Sequence, residues 1–182
     1  MKQCRLTPIM PCIKILRVFR QTINPLNVFF GQVSMNDEIR TYTLSKEKRE
    51  ICLQRISGLL EQEPGILFAY TYGSFLEAFR FRDLDIALFM MPDKLPLRSY
   101  VYEIELGTAI VHSLGLPFPV DVKIMNSTAI ALQYHALRGR LLVDRNPDMR
   151  SEIMTRIASL YLDIAPILKH HTKEAFSRDA QP

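Results

Sequence analysis

ILFAYTYGSFLEAFRFRDLDIALF, residues 66–89, holds two strand signals joined by a turn. Its first seven residues, Ile66 to Tyr72, make an unbroken apolar and aromatic run that reads as a buried strand. Gly73-Ser74 marks a turn, and Phe75 to Phe79 has helical potential. Arg82 to Phe89 reads as a second strand, with Asp83 and Asp85 two residues apart. Side chains alternate faces along a strand, so both carboxylates project to one side and Leu84 and Ile86 to the other. Neighbouring carboxylates repel each other and cost desolvation, so a core strand seldom carries them without a cation. A divalent ion such as Mg²⁺ takes oxygen ligands and keeps substrate phosphates as further ligands, which suits that role.

The Gly-Ser turn supplies a complementary half. Glycine lets a backbone approach a ligand closely, and free N–H groups at a helix start attract anions. The serine hydroxyl adds one more donor. Gly-Ser alone is usually a plain turn, and Asp-x-Asp alone is usually solvated surface. The order strand, Gly-Ser, helix, Asp-x-Asp strand is much rarer and points to nucleotide chemistry.

These residues resemble the nucleotidyltransferase superfamily with a polymerase-β-like palm, and most closely its minimal single-domain members, the MntA-type antitoxins of MNT/HEPN toxin–antitoxin pairs. Gly73, Ser74, Asp83 and Asp85 match the first parts of the family motif. Asp121, in the run Phe118 to Met125, matches its third carboxylate on a later strand. The similarity extends from Leu44 to Phe176. Eight residues separate Ser74 from Asp83, fewer than is common in the family, and this departure is expected to bear on the base or ribose pocket.

The resemblance implies an α/β (α+β) fold: a single-domain palm with a small mixed sheet flanked by helices. It implies transfer of AMP from ATP, with Asp83, Asp85 and Asp121 holding two Mg²⁺ ions and Asp121 taking a proton from the acceptor. Gly73 and Ser74 would hold the β- and γ-phosphates. The implied partner is a small helical HEPN-type toxin, adenylylated on a tyrosine. Two alternatives stand beside this: an antitoxin that masks its toxin by binding alone, and a stand-alone nucleotidyltransferase acting on a small molecule.

Composition bounds these readings. A chain of 182 residues with 48% hydrophobic and 23% charged residues reads as one globular domain with a real core. Its net charge of +4 misleads. Residues 1–34 contain Lys2, Arg5, Lys14, Arg17 and Arg20 and no acid, so totals of 23 basic and 19 acidic residues leave 18 against 19 for the rest. A near-neutral domain is no grip for nucleic acid, and no stable nucleic-acid binding is expected. Charges interrupt every apolar run, so neither a secretory signal nor a membrane span is expected. Three scattered cysteines, Cys4, Cys12 and Cys52, fit free thiols in a reducing cytoplasm.

Three segments are therefore expected. Residues 1–34 form a basic leader that is disordered or not translated, with Met35 as the physiological start. Residues 35–176 form the nucleotidyltransferase domain, and 177–182 a tail. Within the domain, Leu44 to Gln62 is amphipathic at helical spacing, with Ile51, Leu53, Ile56, Leu59 and Leu60 as its apolar stripe and Ser45 as N-cap. Arg98 to Leu114 reads as a second helix with Val101, Ile104, Leu106, Ala109, Ile110 and Leu114 inward. Phe118 to Met125 is a third strand with Asp121 and Lys123 on one face. Thr128 to Arg138 is a helix, Arg140 to Val143 a short strand, and Pro147 to Lys169 a long final helix followed by a polar, fraying tail. Arg80, Arg82 and Lys123 lie near the motif as candidate charge neutralisers. The four histidines show no metal-ligand spacing and read as structural or surface residues.

Overall fold

The computed structural model describes residues 40–178, with side chains placed as far as Leu168. The leader, residues 1–34, and the chain beyond residue 178 lie outside the described residues. Helix α1 (Lys46–Leu60) is followed by strand β1 (Ile66–Tyr72), the four-residue helix α2 (Ser74–Glu77) and strand β2 (Leu84–Met90). A 3₁₀ turn at Pro92–Lys94 leads to helix α3 (Ser99–Leu114), strand β3 (Val120–Ile124), helix α4 (Ile130–Leu137), strand β4 (Arg140–Asp144) and helix α5 (Pro147–Arg178). The sheet order is β3-β2-β1-β4. β1 is antiparallel to β2 and to β4, whereas β2 and β3 run parallel. A parallel pair needs a crossover connection, and α3 is that crossover. This is the mixed sheet flanked by helices expected from the sequence.

Period-two alternation sorts the sheet into two apolar faces. Leu84, Ile86 and Leu88 of β2 join Val122 and Ile124 of β3 under α1 and α3. Ala87 and Phe89 point the other way, to a second cluster with Phe68, Tyr70, Met125, Ala136 and Ile157 under α4 and α5. Central strands buried on both faces read as continuous apolar runs, which is why Ile66 to Tyr72 shows no alternation in sequence.

The helix ends follow local chemistry. The Ser45 hydroxyl accepts from the Lys48 N–H at 3.3 Å, the N-cap expected. Gly115, at φ 60°, closes α3 in the left-handed conformation. The apolar stripes are shifted, however. Ile51, Val101 and Ile104 were expected in the core, yet Ile51 and Ile104 are each 50% exposed and Val101 is 42% exposed. Cys52, Tyr102, Glu103 and Gly107 are buried in their place. A helix has room on its buried face only for residues whose angle meets the sheet, and the sheet set that angle. α5 runs past Lys169 to Arg178, because its polar end is rich in helix formers such as Lys173, Glu174 and Ala175. Among the described residues no helix is long and apolar enough to cross a membrane.

Candidate active site

Gly73 is the pivot between β1 and α2. Its φ of 75° and ψ of −158° fall where side-chain-bearing residues are strained. A Cβ placed there would lie 2.6 Å from Asp85 Oδ2. Glycine is thus demanded twice, by the backbone and by the carboxylate packed against it. Ser74 begins α2, and the first N–H groups of any helix have no intrahelical acceptor, so this corner offers donors beside a cluster of acids.

The acids come from two adjacent strands. In the β2–β3 register Asp85 faces Asp121, and in the β1–β2 register Asp85 faces Tyr72. Asp83 precedes β2 by one residue rather than lying within it. Its place is fixed by Leu84, which is fully buried and whose N–H donates to the Pro119 carbonyl at 3.0 Å. Asp83, Asp85 and Asp121 therefore gather at one end of the sheet, on the side where Gly73 turns away.

The electrostatics of that end are unrelieved. Burial first, then the charges of Asp83 and Asp121, push the Asp85 carboxyl up to about 6, with Arg82 opposing weakly. Burial and the same three carboxylates push the Tyr72 phenol up to about 12. None of the ion pairs among the described residues involves these acids. A carboxylate set without a cation is costly to keep, and hard oxygen donors of this kind suit Mg²⁺. The set is open: among the described residues no three acidic, histidine or cysteine side chains form a ready-made metal cage. The donor chemistry fits a divalent ion bound together with a phosphate ligand rather than a protein-only cage.

Of the candidate cations, Arg80 and Arg82 are exposed. Lys123 instead binds Glu103 of α3 at 3.1 Å. Glu103 was missed in the sequence. It is buried, and its other oxygen accepts from the Ile124 N–H at 2.8 Å, so it braces β3 just beyond Asp121. Its place between Tyr102 and Ile104 was the available signal, one it shares with Glu105 between Ile104 and Leu106. Tyr70 and Tyr72 share a strand face, and Tyr70 is packed under α5 near Met154 and Arg150. His135 is exposed beside Tyr161, and the His170 and His171 side chains lie outside the described residues.

A family model for the polymerase beta nucleotidyltransferases matches residues 54–148. That span includes Gly73, Ser74 and all three carboxylates. No protein of curated function matches the chain. Among solved structures, the chain is similar to a toxin–antitoxin complex MntA–HepT, at 17% identity and a TM-score of 0.54, covering 70% of this chain and 98% of that one. It is similar to the structure of a tri-AMPylated Shewanella oneidensis HEPN toxin in complex with MNT antitoxin, at 18% identity and a TM-score of 0.55, with 70% and 98% covered. A third is a toxin–antitoxin structure with AMP-PNP, at 18% identity and a TM-score of 0.52, with 72% and 99% covered. At such identities the likeness speaks for the fold.

Proposed function

The chain belongs to the polymerase beta nucleotidyltransferase family, and from that premise we propose that it is a Mg²⁺-dependent adenylyltransferase that moves AMP from ATP to a tyrosine of a cognate helical HEPN-type toxin. The observation that carries this reading is the register pairing of Asp85 with Asp121, next to Gly73-Ser74. Two solved structures of similar fold support the direction: one contains an AMPylated toxin and one contains AMP-PNP. The near-neutral domain argues against stable nucleic-acid binding, and the buried free thiol of Cys52 suits the cytoplasm.

In this reading Asp83, Asp85 and Asp121 hold the Mg²⁺, which when bound neutralises charge on the reacting phosphates and lowers the cost of bringing an oxygen nucleophile to them. Gly73 and Ser74 hold the β- and γ-phosphates through backbone N–H groups and the serine hydroxyl. The acceptor oxygen attacks the α-phosphorus in line. The bond from that phosphorus to the bridging oxygen breaks, and pyrophosphate leaves. Asp121, the exposed member of the three, takes the proton from the acceptor hydroxyl. Asp85 is held against Gly73 and keeps the geometry between phosphate turn and acids.

The test is transfer of label from α-³²P-ATP with Mg²⁺ to a helical toxin encoded beside this chain, for the wild type and for Asp83→Ala/Asp85→Ala. Label on the toxin that vanishes in the double variant supports the proposal. A stable complex that carries no label would replace it with an antitoxin that acts by masking.

A further inference from the structure

The segment between the phosphate turn and the acids is held by one side chain from outside the motif. Arg49 lies on α1, and its guanidinium reaches four main-chain carbonyls. Nε donates to Leu44 O at 3.2 Å, and one terminal nitrogen donates to Phe75 O. The other terminal nitrogen donates to Ala78 O at 2.8 Å and Phe79 O at 3.1 Å. The guanidinium carbon also lies 5.4 Å from the Phe75 ring centre and 5.1 Å from that of Phe81.

Each contact answers a local need. α2 has only four residues, and the last carbonyls of a helix have no intrahelical donor. Arg49 supplies donors to that end, and its positive charge suits a helix C-terminus. The two rings beneath it are fully buried, packed edge to face 4.9 Å apart, with Phe118 against both. Backbone pairing of Tyr42 with Phe81 closes the other side, with N–H to carbonyl distances of 2.7 and 3.1 Å. The carbonyls are spread over residues 75–79, and only a planar fork with five donors can span them; the single ammonium of lysine cannot.

We propose that Arg49 is a positioning residue for nucleotide binding: it holds the Ser74-to-Phe81 segment in its phosphate-receiving shape before any ligand arrives. The proposal rests on the nucleotidyltransferase reading above. It concerns the phosphate turn and not the acids, because Asp85 and Asp121 are set by strand register and Asp83 by the anchoring of Leu84 to Pro119, none of which Arg49 touches. Arg49 thus separates two properties of one site.

The experiment compares wild type, Arg49→Lys and Arg49→Met. AMP-PNP affinity is measured by calorimetry with Mg²⁺, Mn²⁺ affinity by paramagnetic resonance at saturating AMP-PNP, and folding by thermal melting. Both variants are expected to bind AMP-PNP about tenfold or more weakly, the loss of charge-assisted hydrogen bonds, with Mn²⁺ affinity within about twofold of wild type. Unchanged AMP-PNP affinity in either folded variant overturns the inference, as does a parallel loss of AMP-PNP and Mn²⁺. Wild type that fails to bind AMP-PNP overturns the nucleotidyltransferase reading itself, and the inference with it. Hydrogen exchange on the wild type gives an independent check should the variants not fold. The amides of Leu76, Ala78 and Phe81, which donate to the Gly73, Ser74 and Tyr42 carbonyls, are expected to be protected without ligand and little changed by AMP-PNP, and fast exchange of these three in the free protein overturns the proposal.

Discussion

Asp85 on β2 and Asp121 on β3 are direct partners in a parallel strand pair, and neither takes part in an ion pair among the described residues. Opposed residues on adjacent strands sit about 5 Å apart at the backbone. Two carboxylates are thus held side by side by main-chain hydrogen bonding that their own repulsion opposes.

Burial of the Asp85 carboxyl, with the charges of Asp83 and Asp121 adding to it, predicts an inverted pH dependence of stability. The folded Asp85 titrates at about 6 against an ordinary value of 3.8. Between those values the folded chain binds more protons than the unfolded chain, so stability falls as pH rises through the window and stays low above it. Allowing for partial solvent screening, the loss is about 1–2 kcal/mol, or several degrees in melting temperature. Thermal melts in EDTA from pH 4 to 8 should show this fall, and Asp85→Asn should flatten it. A wild-type profile that rises across that range would contradict the prediction.

Gly73→Ala should damage fold and site together. The substitution meets a backbone conformation that strains any side chain, and its Cβ would press on Asp85 Oδ2. The expected cost is about 1–3 kcal/mol, read as a lower melting temperature. AMP-PNP binding should weaken at the same time, because Asp85 or the turn must shift. Calorimetry on the folded variant at low temperature separates the two effects.

Asp121→Asn should do the reverse. Asp121 is exposed and its removal relieves repulsion, so stability should stay within about 0.5 kcal/mol or improve slightly. AMP transfer should fall about a hundredfold or more, the usual worth of a positioned proton acceptor. Normal transfer by this variant would take Asp121 out of the mechanism.

Glu103→Ala should loosen the edge strand that carries Asp121. Its carboxylate accepts from the Ile124 N–H at 2.8 Å and from Lys123 Nζ at 3.1 Å. Losing it leaves a buried N–H without an acceptor, at about 1–3 kcal/mol. Glu103→Gln keeps one acceptor and should fall between. Melting temperatures in the order wild type, Gln, Ala would bear this out, and equal values for all three would count against the bracing role.

Much of the molecule was legible because it is local. The run Ile66 to Tyr72 and the alternation around Asp121 identified strands from side-chain period alone, and Gly73-Ser74 identified the turn. The faces of α1 and α3 were not legible. Ile51, Val101 and Ile104 are as apolar as their buried neighbours, and which ones turn inward depends on the angle at which each helix crosses the sheet. Arg49 was invisible for a similar reason: a charged residue on an amphipathic helix reads as solvent-facing, and its acceptors beyond Leu44 are 26 to 30 residues away.

By itself the sequence determined which segments are strands, where the chain must turn through a glycine, and that three carboxylates lie on short-range patterns able to share a face. Tertiary structure decided that they do share it. The pairing of Asp85 with Asp121 joins positions 36 apart in sequence and exists because α3 packs back on the sheet, with Gly107 so close to Val120 that a Cβ there would lie 2.6 Å from its carbonyl oxygen. Strand propensity is written residue by residue, whereas register is a property of two strands at once. A slip of one residue would have turned Asp121 to the opposite face.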